Sequence, residues 1–346
     1  MNTEKTAILL MNIGSPDKPR LLAVWKYLTR FLNDKYVIDL PWLLRKFLVN
    51  FIIIPFRVKK STLLYKNIWT DKGSPLIYHS LETGKNLQKM LGNNFKIFVA
   101  MRYSEPDYKT ALREIRQEKF NRLILIPLFP QYAMSTTGSA VNAVKKEIVK
   151  QKMEIELTIA DQFYNHPKFI DAFVKQAEKY GLDKFDHIIF SYHGLPLRQL
   201  EKSHPGIKVK DCDCELRIPE HGHHCYRATC YATTHLLADK LGLKSGKYTT
   251  SFQSRLSRNW MEPFTDKVLL SKLQEGKKRI LIIAPSFVTD CLETLIEIGE
   301  DYRKTFLKKG GEELQLVESL NSSPLWIETL KTIINEHEKN SRQMSR

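Results

Sequence analysis

The chain is poor in the features that would carry it across a membrane or out of a cell. No apolar stretch reaches the roughly 18 to 20 uninterrupted residues that a spanning helix needs. Cysteine is scarce, five in 346 residues, and no disulfide framework is expected from thiols in a chain without a secretory leader. The start, Met1-Asn2-Thr3-Glu4-Lys5-Thr6, runs directly into a short apolar strand. It shows neither a basic leader nor a small-residue cleavage site, so the expected compartment is the cytoplasm. Acidic residues are in deficit, 38 against 54 lysines and arginines, for a formal charge of +16. Such a field favours anionic partners: nucleic acid, acidic lipid or a carboxylated small molecule. The lysines are scattered, as in Lys277-Lys278 and Lys308-Lys309. A compact basic and aromatic array of the kind that grips single strands is missing, so nucleic acid is not an expected partner.

What remains is an ordinary globular chain, 42% hydrophobic and long enough for two domains. Apolar runs with strand character recur at Ala7 to Met11, Ile97 to Ala100, Leu123 to Pro127 and Ile155 to Ile159. A second set follows at Ile188 to Phe190, Tyr248 to Phe252, Ile280 to Ala284 and Leu314 to Val317. Helical patterns lie between them, as at Asn142 to Gln151, Lys168 to Tyr180, Ala228 to Leu241 and Leu292 to Leu307. Continuous apolar strands alternating with helices predict parallel sheets covered on both faces. The expected fold is therefore α/β, two similar doubly wound domains with a cleft between them as the binding site. The first domain is drawn at 1–164 and the second at 165–323, with a Cys/His-rich insertion at about 201–230. A final helix begins at Pro324, a residue suited to a first helical turn, and is expected to run to Asn340 and pack back on the first domain. The tail from Lys339 to Arg346 is expected to be disordered.

The most informative stretch is Ser191-Tyr192-His193-Gly194-Leu195-Pro196, which places a histidine where a buried strand opens into a turn. The pattern recurs where Ile280 to Ala284 breaks at Pro285-Ser286 and Asp290-Cys291-Leu292-Glu293-Thr294 opens a helix. Ligands of open parallel sheets bind beyond the carboxyl ends of the strands, so His193 and Glu293 are candidates for one cavity. An imidazole and a carboxylate together suit a divalent transition metal and proton transfer. Singly, a histidine after a strand is an ordinary loop hydrogen-bonder, and a first-turn glutamate complements the helix dipole. Glu297 lies one turn beyond Glu293 and shares its face, either as an acidic track for protons or iron or as a solvated acidic surface.

Two other segments stand out. Leu40 to Phe56 is apolar but interrupted by Arg45, Lys46, Asn50 and two prolines, and is flanked by Arg57, Lys59 and Lys60. It rests on a bilayer surface, forms the lip of an apolar pocket, or is a buried core helix. Cys212, Cys214, Cys225 and Cys230 cluster around the His-rich Glu220-His221-Gly222-His223-His224, with Asp211 close by. They form a tetrahedral zinc site, a [2Fe-2S] site, or free thiols in a loop.

Several segments together resemble one family, the ferrochelatases, across almost the whole chain. They are Leu10-Met11-Asn12-Ile13-Gly14-Ser15-Pro16, Gly73-Ser74-Pro75-Leu76, Pro130 to Ser139, Ser191 to Pro196, Phe252-Gln253-Ser254-Arg255 and Asp290 to Leu295. The resemblance implies paired flavodoxin-like domains that clamp a porphyrin, protoporphyrin IX by preference, and insert Fe2+ with release of two protons. It places His193 and Glu293 on the catalytic pair, Ile13 opposite His193, Arg102 and Tyr103 in the pocket, and Arg57 near its mouth. Fe2+ is then a substrate, and no nucleotide is implied. Tyr132, Tyr192 and Trp260 are candidates to stack on or line the ring, or are plain core. Cys291 stands where some members carry histidine, so a metal-delivery role of that histidine is absent or altered here. The family's precedent for clusters favours [2Fe-2S] over zinc, although Met134 excludes the version with a ligand just before Ser135-Thr136-Thr137-Gly138. The rival reading is a non-catalytic bilobal module that carries haem or a metal.

Overall fold

A computed structural model describes Thr6 to His204 and Gly206 to Met344, apart from the side chains of His221 and of residues 340–344. Among the described residues, eight strands form two parallel sheets of four. In the first, β1 (Thr6–Asn12) lies between β2 (Phe95–Met101) and β3 (Arg122–Pro127), and β4 (Glu156–Ile159) takes the edge beside β3. The second repeats the plan: β5 (His187–His193) lies between β6 (Tyr248–Gln253) and β7 (Arg279–Ile283), with β8 (Glu313–Leu316) at the edge. The expected α/β class and all eight strands are present. Beta-branched and aliphatic residues cover both faces of the central strands, and every residue of β1 is buried. Parallel strands require this, because the crossover helices occupy both sides.

The chain falls into two compact units, each described by itself: 6–129, 133–161 and 321–344 make the first, and 130–132 with 162–320 the second. In the first, Leu9, Met11 and Leu125 pack with Leu112, Ile115 and Val144. In the second, Ile189, Ile280 and Ile282 pack with Leu269, Ile298 and Phe306. Each such fully buried side chain contributes about 1.5–3 kcal/mol relative to exposure.

The last helix, Pro324–Met344, belongs to the first unit and runs beyond Asn340 through the part of the expected tail that is described. Trp326, Leu330 and Ile334 are buried at helical spacing, and the helix packs on Pro75–Leu91. Thr83 donates to the Asn321 carbonyl at 3.1 Å, and Arg122 pairs with Glu338 at 2.9 Å.

In both sheets the chain reverses its winding between the first and third strands. The switch points therefore lie beyond Asn12 and Pro127 in one unit, and beyond His193 and Ile283 in the other.

Candidate active site and metal centre

His193 is the last residue of β5 and is half-buried at the switch point of the second sheet. Its Nδ1 lies 2.7 Å from the Gly194 carbonyl. A carbonyl only accepts, so Nδ1 carries the proton and Nε2 is the open nitrogen. The turn that sets this geometry requires glycine: a Cβ on Gly194 would stand 2.9 Å from the Gln253 carbonyl. Trp260 and Phe287 both lie near the imidazole, each with its ring centroid 6.4 Å from that of His193. Gln253 joins the strand end to the following helix, accepting from Ser191 Oγ at 2.7 Å and donating to the Glu293 backbone carbonyl at 3.1 Å.

Glu293 opens a π-helical segment, Glu293–Tyr302, a form found mostly at functional sites. Beside it, burial first, then the Glu293 charge, pushes the Cys291 thiol well up. Cys291 is therefore a neutral S–H. Glu297 accepts from the Ser254 backbone N–H and from Tyr302 Oη, both at 2.7 Å, and from Ser254 Oγ. Ser254 adopts a left-handed backbone, φ +64°, a strained state for a residue with a side chain. Glu297 is thus an anchored carboxylate, while Glu300 and Asp301 further along are exposed.

Tyr192, a candidate ring-lining residue, is instead core. It is wholly buried and its hydroxyl sits 2.9 Å from Thr234 Oγ1. In a strand covered on both faces, the residue before His193 points into packing, not into solvent. Tyr132 is half-buried and stacks on His224, centroids 4.2 Å apart.

In the first unit, Ile13 follows β1 and is half-buried. The next residue, Gly14, has φ +102°, and a Cβ there would strike Ser104 Oγ. Arg102 and Tyr103 follow β2 but are bound internally. Asp34 accepts from Arg102 Nη2 at 2.7 Å, Tyr103 Oη at 2.8 Å and Ser139 Oγ at 2.6 Å. Burial works to raise the Asp34 carboxyl, yet hydrogen bonds from Ser139 and the Tyr36 N–H, the Arg102 charge and Tyr103 together hold it below the usual range. Burial, then the Asp34 charge, drives the Tyr103 hydroxyl well up. Tyr103, only 3% exposed, is a structural donor to this cluster and not a pocket wall. Asp34 and Ser139 were not singled out from the sequence.

Arg57 is exposed, as is most of the segment before it. Trp42, Leu43, Phe47, Phe51 and Phe56 are 62, 73, 57, 70 and 84% exposed. Arg45 turns inward and donates to the Leu40 carbonyl at 2.8 Å. The segment is therefore not a buried core helix. Among the described residues, no helix is long and apolar enough to cross a membrane.

The insertion holds three thiols and a histidine in one cluster. His204 Nε2 lies 2.9 Å from Cys225 Sγ, and these atoms and Cys214 Sγ all fall within 4.8 Å of one another. Cys212 is hydrogen-bonded to Cys214. Cys225 caps the helix Tyr226–Lys240, accepting from the Ala228 N–H at 3.4 Å. A thiol hydrogen bond from Cys214, opposed by burial, and this N–H favour its thiolate. Cys230 is not in the cluster: its buried thiol hydrogen-bonds Tyr226. Exposed Asp211, His223 and His224 lie in the same insertion, and the His221 side chain lies outside the described residues. None of the five cysteines is in a disulfide.

The architecture is that of a chelatase-like protein: two doubly wound parallel sheets, with His193 at the end of β5 and Glu293 at the head of the helix that follows β7. Two solved structures of Bacillus subtilis SirB, a sirohydrochlorin chelatase, are similar in fold. One, with Fe3+, has a TM-score of 0.55 at 11% identity over 98% of each chain. The other, with cobalt, has 0.52 at 9% identity over 98% of this chain and 97% of that one. The ferrochelatase family model matches residues 5–338. A Coxiella burnetii (strain Dugway 5J108-111) protein named ferrochelatase is 41% identical over 335 residues, 95% of this chain and 93% of that one. One from Legionella pneumophila (strain Lens) is 42% identical over 333 residues, 96% and 99%. The chain belongs to the ferrochelatase family. It is an iron chelatase of haem synthesis, with a porphyrin and Fe2+ as substrates, which sets aside the non-catalytic module.

Proposed function

We propose that iron insertion is run from His193 and Glu293, with protoporphyrin IX as the porphyrin. A free-base porphyrin must lose two pyrrole protons while Fe2+ sheds its water ligands, so the site needs a base aimed at the ring and an anionic group for the departing proton or arriving cation. The observation that carries this reading is the Nδ1 to Gly194 carbonyl contact of 2.7 Å, which leaves Nε2 as the single open nitrogen on a fixed ring. His193 Nε2 takes the pyrrole proton, and Glu293, at the head of a π-helix stitched to β6 through Gln253, passes protons out or receives Fe2+. Glu297, held by Ser254 and Tyr302, supports that end of the helix rather than shuttling itself.

Substrate choice follows from the cations. Arg102 is committed to Asp34 and Ser139, so Arg57 is the exposed one of the two arginines. That suits a porphyrin with two carboxylates better than one with four. The exposed aromatics of the Leu40 to Lys60 segment, with its basic flank, fit shallow contact with an acidic membrane, where an apolar porphyrin arrives and haem leaves. Cysteines outside disulfides suit the reducing cytoplasm, and the reading puts the protein at the inner face of that membrane. The insertion carries a metal centre, either a [2Fe-2S] cluster or zinc, whose contribution is folding energy that a polar loop cannot gain by burial.

Anaerobic mixing of the protein with Fe2+ and either protoporphyrin or coproporphyrin, followed by absorption, tests the reading. Protoporphyrin should turn over at least about tenfold faster, a difference of one 1.4 kcal/mol step in barrier. Preference for coproporphyrin would overturn the substrate assignment, and unimpaired turnover by His193→Ala would overturn the base.

A further inference from the structure

We propose that a groove in the first unit binds a small phosphate ester, a phosphate group carried on a hydroxylated body of sugar size. The groove lies between the helices Tyr108–Gln117 and Ser139–Lys150, and no residue assigned to iron insertion lines it.

Its cations come mostly from one helical stripe. Lys109, Arg113 and Arg116 stand four and three residues apart, so they share a face of the first helix, and Lys150 joins them from the end of the second. All four are exposed, and among the described residues none forms an ion pair. Like charges at this spacing weaken a helix. The fold makes little use of them: Arg113 donates to Thr110 Oγ1 at 2.8 Å, and Arg116 to the Gln151 carbonyl at 2.7 Å. Charge that looks scattered along the sequence is thus collected in one place, where forked guanidiniums match phosphate oxygens.

The second helix supplies an independent signal. Glu147 is only 8% exposed, yet its carboxylate accepts a single hydrogen bond among the described residues, from Gln151 Nε2 at 3.0 Å. The same amide nitrogen donates to the Lys109 carbonyl at 3.2 Å, which leaves Gln151 Oε1 buried and without a partner. A buried acceptor left unmade is costly, and so is a buried carboxylate with no cation. A bare anion would suit the cations and be repelled by Glu147. A phosphate that also carries hydroxyls gives Glu147 and Gln151 the donors they lack. Asp107 lines the groove too, but its carboxylate is taken up in capping the first helix, accepting from the Lys109 N–H at 2.9 Å. The cavity is about 270 Å3, just below the size of pockets that bury drug-sized ligands. It admits a sugar phosphate and not a tetrapyrrole.

The full-length protein is titrated by calorimetry with ribose 5-phosphate and, separately, with sulfate, which has the charge without the hydroxyls. Ribose 5-phosphate should bind at least about tenfold more tightly, the worth of one or two hydrogen bonds to such acceptors. Arg113→Gln with Lys150→Gln should weaken both ligands by about tenfold or more and leave iron insertion within about twofold. Lys308→Gln with Lys309→Gln removes the same charge elsewhere on the surface and should change neither affinity by more than about twofold. Glu147→Gln should bring the two ligands to within about threefold of each other, because sulfate is no longer repelled and the hydroxyls lose a charged acceptor.

Equal affinity for sulfate and ribose 5-phosphate in wild type, or equal weakening by the two double variants, would reduce the groove to the general attraction of a chain of charge +16 and overturn the site. Vesicles of phosphatidylcholine with phosphatidic acid, and a single-stranded oligonucleotide, present phosphate from other sources. Attachment to either that Arg113→Gln with Lys150→Gln abolishes, with no ribose 5-phosphate bound by wild type, would overturn the assignment in favour of a lipid headgroup or a nucleic acid.

Discussion

The two sheets share one strand order but differ in what stands at their carboxyl ends. Beyond β2, the first unit spends its polar groups on itself: Arg102, Tyr103 and Ser139 all converge on Asp34. Beyond β5, the second unit leaves an imidazole nitrogen open: the His193 ring is fixed by one carbonyl, and Nε2 has no hydrogen-bond partner among the described residues. The scaffold is common to both, and the chemistry is decided by the residues grafted on its loops. A satisfied cluster stabilises, while the half-buried pair is the one proposed to catalyse.

The largest expected difference between the units is in turnover. His193→Ala and Glu293→Gln should each lower iron insertion by about 10²- to 10⁴-fold, with porphyrin binding, read by fluorescence quenching, close to wild type. Arg57→Ala in the first unit should raise KM and leave kcat within about threefold. Similar kcat losses from all three would erase the contrast.

Stability should show the reverse pattern. Asp34→Ala leaves the half-buried Arg102 charge without its carboxylate and should cost up to about 3–5 kcal/mol in urea unfolding. The Asp34 carboxyl is depressed in the folded state, so its contribution is complete above the unfolded value and is lost as pH falls below about 4. Unchanged stability with lost activity would make Asp34 part of the site.

A smaller effect belongs to the second unit. His187 is buried, with Nε2 2.9 Å from Thr249 Oγ1. Burial, helped by the charge of Lys272, lowers its pKa to about 4. Between about pH 6.5 and 4 the unfolded chain binds the proton and the folded one does not, so stability falls with pH by on the order of 3 kcal/mol. His187→Gln should flatten that slope, and an equally steep slope in the variant would exclude His187 as its source. The smallest effect is expected at the membrane: Phe47→Asp with Phe51→Asp should cut flotation with acidic vesicles by about tenfold at low salt and leave soluble turnover unchanged. Equal flotation of both proteins would count against bilayer contact.

Much of this was legible in the sequence for simple reasons. Strands buried on both faces write themselves as continuous apolar runs, so all eight could be placed, and His193 and Glu293 stood out because each follows such a run. The segment Phe252 to Arg255 was visible too, but not the role of Gln253 and Ser254, which rests on contacts with a helix 40 and 43 residues away. Asp34 lies in a polar turn and meets partners 68, 69 and 105 residues on, so no local pattern marks it. Tyr192 was left between ring wall and core because a strand end shows which residue is last, not which way its neighbour points.

The terminal helix has a consequence for how the protein is made. Residues 321–344 complete the unit that begins the chain, whereas 162–320 are contiguous. On a ribosome adding about 5–20 residues per second, the second unit has all its parts before the first does. The half synthesised first is therefore the half finished last, its groove along Pro75–Leu91 waiting for Trp326, Leu330 and Ile334. A chain ended after Leu320 should keep a protease-resistant second unit and lose the first. Equal digestion of both would show that the two halves fold as one.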